Sequence, residues 1–166
     1  IYAAGDVCET KNIITGERAL FTLAGPANKQ GRVAGANAAG VNPNLSFKGS
    51  LGTCIVGFES PQESPTTLAM TGLSEKAAKS AGFDKVETIV MHHADHAGYY
   101  PHASSMLLKL VVDRKTDYIL GAQISGHGGV DKRIDVLATA IHGKIKAQDL
   151  ADLDLAYAPQ YGSARD

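Results

Sequence analysis

Runs of apolar and β-branched residues recur through the C-terminal two thirds of the chain and predict five β-strands. The runs cover residues 52–58, 66–71, 86–91, 105–112 and 118–124. The segment Asp113–Asp117 between the last two runs is short and polar, as a hairpin turn is expected to be.

Two helices interrupt these predicted strands. Ser74 is a suitable N-cap for a helix over residues 75–81, and Gly82 ends that helix. Apolar residues between Val130 and Ile141 fall on one face of the second helix. Strands grouped around two helices indicate an α+β fold with a five-stranded, mostly antiparallel sheet.

A further helix is predicted near the start of the chain. Pro26 suits its first turn, and the alanine-rich run Ala27–Ala39 propagates it. The segment Val41–Ser50 is rich in turn-forming residues and predicts a linker. We therefore expect two domains, residues 1–48 and residues 49–166.

The first six residues, Ile1–Asp6, form an apolar run that closes on Gly5 and Asp6. This pattern is typical of a buried strand that ends at the edge of a sheet where open α/β folds bind cofactors. A carboxylate there can accept hydrogen bonds from the hydroxyls of a sugar or sugar alcohol, although a helix cap or turn residue is the simpler interpretation. The chain is accordingly interpreted as a piece of a larger cofactor-dependent enzyme.

The start of the helix around Leu23–Asn28 is a second candidate site. Its first N–H groups have no partner within the helix, and the helix dipole favours negative charge. Such an end can stabilise a phosphate or a reduced flavin ring. Every helix has such an end, so position alone does not identify a site.

Four tyrosines lie in proline-containing segments that predict fixed loops. They are Tyr99, Tyr100, Tyr157 and Tyr161. A phenol is protonated at neutral pH and can donate a hydrogen bond to a thiolate or an oxyanion. Surface packing or a subunit contact is the other interpretation, because tyrosine is common at interfaces.

A histidine-rich stretch, His92–His96, contains residue types that bind zinc or iron. Its spacing differs from the helical HExxH pattern, and the preceding strand, Gly98 and Pro101 place it in a loop. We predict no metal site there.

The loop Gly126–Gly129 resembles a phosphate-binding loop, but Asp131 stands where a third glycine is needed. A turn that caps the following helix is the preferred interpretation. Lys132, Arg133 and Asp135 are then interpreted as a solvated or intersubunit charge cluster of little energetic weight.

Composition narrows the class of protein without identifying it. The chain has 166 residues, a net charge of -1 and 44% hydrophobic residues. This charge gives no reason to expect nucleic-acid or anionic-membrane binding, and the apolar runs are too short to span a bilayer. Cys8 and Cys54 lie too far apart for a metal knuckle or a CxxC motif. A cytoplasmic location is the default expectation.

Five segments stand in an order that resembles one enzyme family. They are Ile1–Cys8, Leu23–Arg32, His96–Pro101, Gly129–Val136 and Leu155–Asp166. Together they resemble the C-terminal part of the flavin-dependent pyridine nucleotide-disulfide oxidoreductases, in the coenzyme A-disulfide reductase and NADH oxidase branch. The resemblance covers essentially the whole chain.

The resemblance implies FAD as cofactor and NADH or NADPH as co-substrate. Residues 1–48 would be a remnant of the FAD-binding domain with its linker, and residues 49–166 would be a dimerisation domain. It implies a homodimer that acts on a small thiol or disulfide such as coenzyme A, with no nucleic-acid or membrane partner.

The resemblance also implies roles for particular residues. Gly5, Asp6 and Ala27 would contact FAD, with Asp6 on its ribityl chain and the helix start at Ala27 near the flavin pyrimidine. Asn28 and Arg165 would contact coenzyme A, for which a guanidinium is well shaped.

Two tyrosines acquire catalytic roles from the same resemblance. Tyr157 would lie near the flavin of the partner subunit, and Tyr99 would hold or protonate the leaving thiolate. No cysteine stands where the family has its redox cysteine, so neither Cys8 nor Cys54 takes that role.

The expected activity is reduction of coenzyme A disulfide or of a related polysulfide or persulfide. Two alternatives remain open at this stage. One is an NADH oxidase or peroxidase that reduces oxygen species, and the other is a dimerisation module without catalytic activity of its own.

Overall fold

The computed structural model of the chain describes residues 1–42, 44–60 and 63–164. Contacts between residues divide it into two compact units, Ile1–Gly52 and Thr53–Asp166.

The first unit is built on one helix, α1 (Ala24–Ala38). A 3-10 turn, Gly5–Val7, packs against it, and a two-residue ribbon pairs β1 (Thr10–Lys11) with β2 (Arg18–Ala19). The helix begins three residues before the alanine-rich run Ala27–Ala39, so Pro26 is its third residue. Pro26 still lies in the first turn, where its missing N–H costs nothing.

The predicted strand Ile1–Asp6 is wrong as a description of this unit. Residues 1–4 have no regular secondary structure, and Gly5 and Asp6 belong to the 3-10 turn. A strand needs a neighbour that completes its hydrogen bonds, and no described residue pairs with residues 1–4.

The second unit is a five-stranded sheet in which every neighbouring pair is antiparallel. Its strands are β3 (Cys54–Ser60), β4 (Glu63–Gly72), β5 (Val86–Ala94), β6 (Ser105–Asp113) and β7 (Ile119–Gly126). Their order across the sheet is β3-β4-β7-β6-β5. The predicted α+β fold with a five-stranded antiparallel sheet is confirmed.

The described residues of this unit form two α-helices. Helix α2 (Glu75–Ser80) begins as predicted, because the Ser74 hydroxyl accepts a hydrogen bond from the Ala77 N–H at 3.2 Å. Helix α3 (Val130–His142) is preceded by its N-cap residue, Gly129, which adopts the left-handed conformation with φ 65°. A 3-10 helix, Gln148–Asp152, then precedes the C-terminal tail.

Helix α3 packs its apolar face against one side of the sheet and forms the core with it. Met106, Ile124 and Ile134 are each at most 2% exposed there. Burying a side chain of this size contributes about 1.5–3 kcal/mol, so this layer supplies much of the unit's stability.

The opposite side of the sheet, here called the outer sheet face, is only partly covered. Helix α2 is tied to it where Glu75 pairs with Lys109 at 3.1 Å. Cross-strand register places six half-exposed apolar side chains on this face. They are Val56, Phe58, Leu68, Met70, Val90 and Leu107.

No helix among the described residues has the length and apolar character needed to cross a membrane.

The backbones of Gly121 and Leu73 lie close together in the second unit, and this approach predicts how a substitution at Gly121 affects stability. Leu73 donates its N–H to the Leu120 carbonyl at 2.8 Å, and its backbone occupies the space that a Cβ at Gly121 would need. We expect Gly121→Ala to destabilise the chain by about 1–3 kcal/mol, measured by urea unfolding.

The matched control is Gly57→Ala, also within a strand, where an added Cβ meets nothing within 4 Å. It should change the free energy of unfolding by less than about 0.5 kcal/mol. Equal effects of the two substitutions would contradict this account of Gly121.

Candidate active-site tyrosines and cofactor-binding segment

Two tyrosines from distant parts of the second unit meet at its surface. Tyr99 lies in the loop of residues 95–104 between β5 and β6, and Tyr157 lies in the C-terminal tail. Their hydroxyl oxygens are 2.9 Å apart, which is a hydrogen bond. Both side chains are exposed, Tyr99 by 77% and Tyr157 by 49%, so the pair is open to a ligand.

The hydrogen bond lowers the acidity of Tyr157. The pKa of Tyr157 is raised above its ordinary value of 10.0, chiefly because its hydroxyl is hydrogen-bonded to Tyr99. Loss of hydration and the charge that Tyr99 carries when it ionises raise this pKa further. Tyr157 therefore keeps its proton at neutral pH and is suited to act as a hydrogen-bond donor.

Asp95 and Ser104 close the base of the loop that carries Tyr99. The Ser104 N–H and hydroxyl donate to the two Asp95 carboxylate oxygens at 2.9 and 2.7 Å. The Asp95 N–H donates in return to the Ser104 carbonyl at 2.9 Å. Three hydrogen bonds between two residues thus fix where the loop leaves the sheet and where it returns.

The Asp95 carboxylate is charged although it is largely buried. Burial acts to raise its pKa, but the Ser104 hydrogen bonds and the neighbouring His96 together hold that pKa below the ordinary value of 3.8. His96 Nδ1 lies 2.8 Å from Asp95 Oδ1, and His96 Nε2 lies 3.1 Å from the Pro101 carbonyl oxygen. The imidazole therefore bridges the base of the loop and its middle.

The loop also contacts the tail directly. The Ala97 N–H donates to the Pro159 carbonyl at 3.1 Å, two residues from each tyrosine of the pair. Ala97 is 7% exposed, so this contact is shielded from water. It holds the two tyrosine-bearing segments side by side.

The interpretation of Arg133 as part of a solvated charge cluster is wrong. Arg133 is 9% exposed, and its guanidinium donates to the Gly129 and Asp95 carbonyl oxygens, each at 3.1 Å. Asp135 on the same helix is exposed. A long apolar stem lets arginine lie within a packed surface while its fork reaches two acceptors.

The first unit brings Gly5, Asp6 and Ala27 to one place. The Gly5 N–H donates to Gln30 Oε1 of α1 at 2.6 Å, and a Cβ at Gly5 would lie 3.6 Å from the Ala27 Cβ. Gly5 has φ 81°, which favours glycine. Asp6 is exposed beside this contact, so its carboxylate is accessible to hydroxyl groups.

The start of α1 is chemically suited to an acceptor group. Its N-cap residue, Leu23, provides no side-chain hydrogen bond, so the first N–H groups of the helix are not capped by a side chain. The Asp6 carboxylate adds a hydrogen-bond acceptor in the 3-10 turn that packs against α1. The residues present therefore fit a flavin nucleotide, whose sugar-alcohol hydroxyls donate and whose pyrimidine oxygens accept.

The proposed coenzyme A contacts are less defined. Asn28 is exposed near the start of α1 and accepts a hydrogen bond from Arg32 Nη2 at 3.1 Å. Arg165 lies outside the described residues.

The loop predicted for the whole histidine-rich stretch is wrong, because His92 and His93 belong to β5, and the stretch does not converge on a common point. His92 pairs across the sheet with Leu107 and His93 with Met106, so the two side chains lie on opposite faces. Among the described residues no three histidine, cysteine, aspartate or glutamate side chains form a group able to hold a metal ion. Cys8 and Cys54 are both free thiols.

Residues 64–166 match the family model of the pyridine nucleotide-disulphide oxidoreductase dimerisation domain. The chain belongs to this family. The match includes β5, β6, α3 and the tail, and therefore every contact that builds the tyrosine pair.

Relatives within this oxidoreductase family match the chain from end to end. It is 39% identical over 166 residues to the NAD(P)H sulfur oxidoreductase (CoA-dependent) of Pyrococcus abyssi, and spans 35% of that protein's length. It is 35% identical to the coenzyme A disulfide reductase of Staphylococcus haemolyticus, of which it spans 36%. The chain thus spans about a third of the length of these curated relatives.

A solved structure shares the fold over the whole chain. This is the NAD-dependent persulfide reductase from A. fulgidus, with a TM-score of 0.90 and 42% identity over 100% of this chain and 30% of that one. The predicted resemblance to the coenzyme A-disulfide reductase branch of the oxidoreductases is confirmed by these three proteins.

Sequence reasoning finds both tyrosines but misses the residues that hold them. Asp95, Ser104 and Arg133 are not singled out for these contacts, because their partners lie at the other end of a loop or on another element. The one available signal is the glycine pair at 128–129, which leaves space for large side chains to approach the turn.

The tyrosine pair generates a prediction about ionisation. In Tyr99→Phe the hydroxyl that raises the pKa of Tyr157 is gone, so Tyr157 should ionise closer to its ordinary value of 10.0. Spectrophotometric titration of the tyrosines in the 166-residue chain measures this as a shift of the highest transition to lower pH.

Tyr161→Phe is the matched control, since Tyr161 lies in the same tail and is 68% exposed. It should remove one titrating phenol and leave the raised transition in place. A raised transition that persists in Tyr99→Phe would rule out the hydrogen bond as its cause.

Proposed function

We propose that this chain is part of a flavin-dependent NAD(P)H oxidoreductase that reduces coenzyme A disulfide or a related polysulfide or persulfide. The observation that carries the proposal is the exposed Tyr99–Tyr157 pair, with hydroxyls 2.9 Å apart. Reduction of a disulfide or persulfide releases a thiolate, and a pair of protonated phenols is suited to receive one. The names of the similar proteins support the same substrate class.

Residues 1–48 are proposed to be the end of a FAD-binding domain, and residues 49–166 a dimerisation domain. The Asp6 carboxylate would accept hydrogen bonds from ribityl hydroxyls, and the start of α1 at Ala27 would face the flavin pyrimidine. Gly5 allows a close backbone approach because it has no side chain. FAD supplies the transfer of electrons from the nicotinamide to the sulfur substrate.

The tyrosines are proposed to act on the active site of the partner subunit. In the proposed step a cysteine thiolate of the full-length protein bonds to one sulfur of the substrate, and the other sulfur leaves as a thiolate with the electron pair of the broken sulfur–sulfur bond. Tyr99 would donate a hydrogen bond or its proton to that sulfur. Tyr157 would hold Tyr99 in place and lie against the partner's flavin.

Asn28 and Arg165 are proposed to bind the coenzyme A portion of the substrate. An exposed amide at the start of a helix can hydrogen-bond to an amide or hydroxyl of the pantetheine arm. A guanidinium at position 165 would pair with a phosphate, for which its two parallel N–H groups are well placed.

The quaternary structure is proposed to be a homodimer formed through the second unit. The family model describes this region as a dimerisation domain. The outer sheet face, with Phe58 54% and Val90 53% exposed, offers apolar area that gains stability when it is covered.

The activity is tested in the full-length protein that contains this sequence. Tyr99→Phe and Tyr157→Phe should each lower kcat for coenzyme A disulfide or persulfide by about a hundredfold, because a positioned proton donor is lost. The rate at which NAD(P)H reduces the flavin should be unchanged, since this step precedes cleavage of the sulfur–sulfur bond.

Tyr161→Phe again serves as control and should retain wild-type turnover. Full activity of both Tyr99→Phe and Tyr157→Phe would refute the proposed role of the pair. Turnover with oxygen alone, unaffected by sulfur substrates, would instead identify an oxidase.

The dimer is tested on the 166-residue chain itself. Its mass is 17.4 kDa, so light scattering at increasing concentration should approach twice that value. A mass that stays at one subunit at high concentration would contradict association through this unit.

A further inference from the structure

The first turn of α3 contacts both segments that carry the tyrosines. Arg133 Nη2 donates to the Asp95 carbonyl at 3.1 Å, at the base of the Tyr99 loop. Lys132 Nζ donates to the Ala156 carbonyl at 3.3 Å, immediately before Tyr157. Two neighbouring residues of α3 therefore hold the loop and the tail against the start of the same helix.

The turn before α3 is shaped to admit these contacts. A Cβ at Gly128 would lie 3.0 Å from Asp95 Oδ2, and a Cβ at Gly129 would crowd Arg133 Nη1. The glycine pair thus leaves room for a carboxylate on one side and a guanidinium on the other. This explains a glycine-rich loop that binds no phosphate in the proposed function.

Asp95 links Arg133 to both ends of the loop that carries Tyr99. Its carbonyl is bound by Arg133, and its carboxylate binds Ser104 at the other end of the same loop. A displacement of Asp95 therefore moves both ends of the loop that presents Tyr99. The phenol pair meets only if both segments keep their places to within a fraction of an ångström.

We propose that Arg133, Lys132 and Asp95 are positioning residues that set the separation of the Tyr99 and Tyr157 hydroxyls. None of the three touches the reacting sulfur in this account. The proposal rests on the proposed function, in which those hydroxyls receive the leaving thiolate. It differs from a purely structural role, which would change stability but leave the phenol pair intact in molecules that fold.

The first test is made on the 166-residue chain by titrating its tyrosines. Arg133→Lys retains the charge but cannot reach both carbonyl oxygens, and Asp95→Asn cannot accept both Ser104 hydrogen bonds. In each variant, with folding verified by circular dichroism, the raised pKa of Tyr157 should move back toward 10.0.

The matched control for this titration is Arg114→Lys. Arg114 pairs with Glu87 at 2.9 Å on the surface, and its side chain is 60% exposed, so the tyrosine titration should not change. An unchanged titration in both Arg133→Lys and Asp95→Asn would overturn the proposal.

The second test is a double-mutant cycle in the full-length holoenzyme. Arg133→Lys should lower kcat by about tenfold through misplacement of the pair, with KM for NAD(P)H unchanged. Added to Tyr99→Phe it should cause no further loss, because residues that act through one group are not additive. Lys132→Met provides an independent variant if Arg133→Lys does not fold.

The outcomes separate the two proposals. If Tyr99→Phe and Tyr157→Phe are both fully active, the proposed role of the tyrosine pair fails. If Tyr99→Phe is impaired but Arg133→Lys and Lys132→Met are either fully active or additive with it, the positioning proposal alone fails.

Discussion

The hydrogen bond from the Arg133 guanidinium to the Asp95 carbonyl is the interaction on which the tyrosine site depends. It joins the start of α3 to the loop between β5 and β6, across 38 positions of sequence. Because Arg133 is largely buried, little water competes for this bond. The loop is also tied to the unit by its own ends, by the contact between Ala97 and Pro159 and by the tyrosine pair itself.

The sheet supplies the rigid frame for that bond. Strands β5 and β6 pair over their full lengths, and α3 packs on the face formed by Met106 and Ile124. The start of α3 is therefore held in a fixed position relative to the loop. The loop and the tail carry the two tyrosines, while the packed layer formed by the sheet and α3 determines where these segments lie.

The sequence predicts the parts of the fold that local pattern determines. Alternation and β-branching identify the strands, and Ser74 identifies the start of α2, because these signals act within a few residues. The same reasoning fails for Ile1–Asp6, since a strand depends on neighbours that its own sequence does not contain. It also misplaces Arg133, because a cation on a helix looks solvated until the carbonyl opposite it is known.

The candidate site is predictable only as separate residues. Tyr99 and Tyr157 are each recognisable from the motifs around them, but they are 58 positions apart, and no periodicity indicates that their hydroxyls meet. The roles of Gly5, Asp6 and Ala27 follow from resemblance, and the structure adds that the turn carrying Gly5 and Asp6 packs against α1, where Gly5 lies beside Ala27. Long-range contacts of this kind arise from packing, which a single sequence does not display.

A crystal structure of the full-length protein with bound FAD tests the central claim most directly, through the distance between the Tyr99 and Tyr157 hydroxyl oxygens. We expect these oxygens to lie close to 2.9 Å apart, with the pair facing the partner's flavin and Arg133 bound to the Asp95 carbonyl. Hydroxyls separated by more than about 3.5 Å while Arg133 keeps that contact would contradict it.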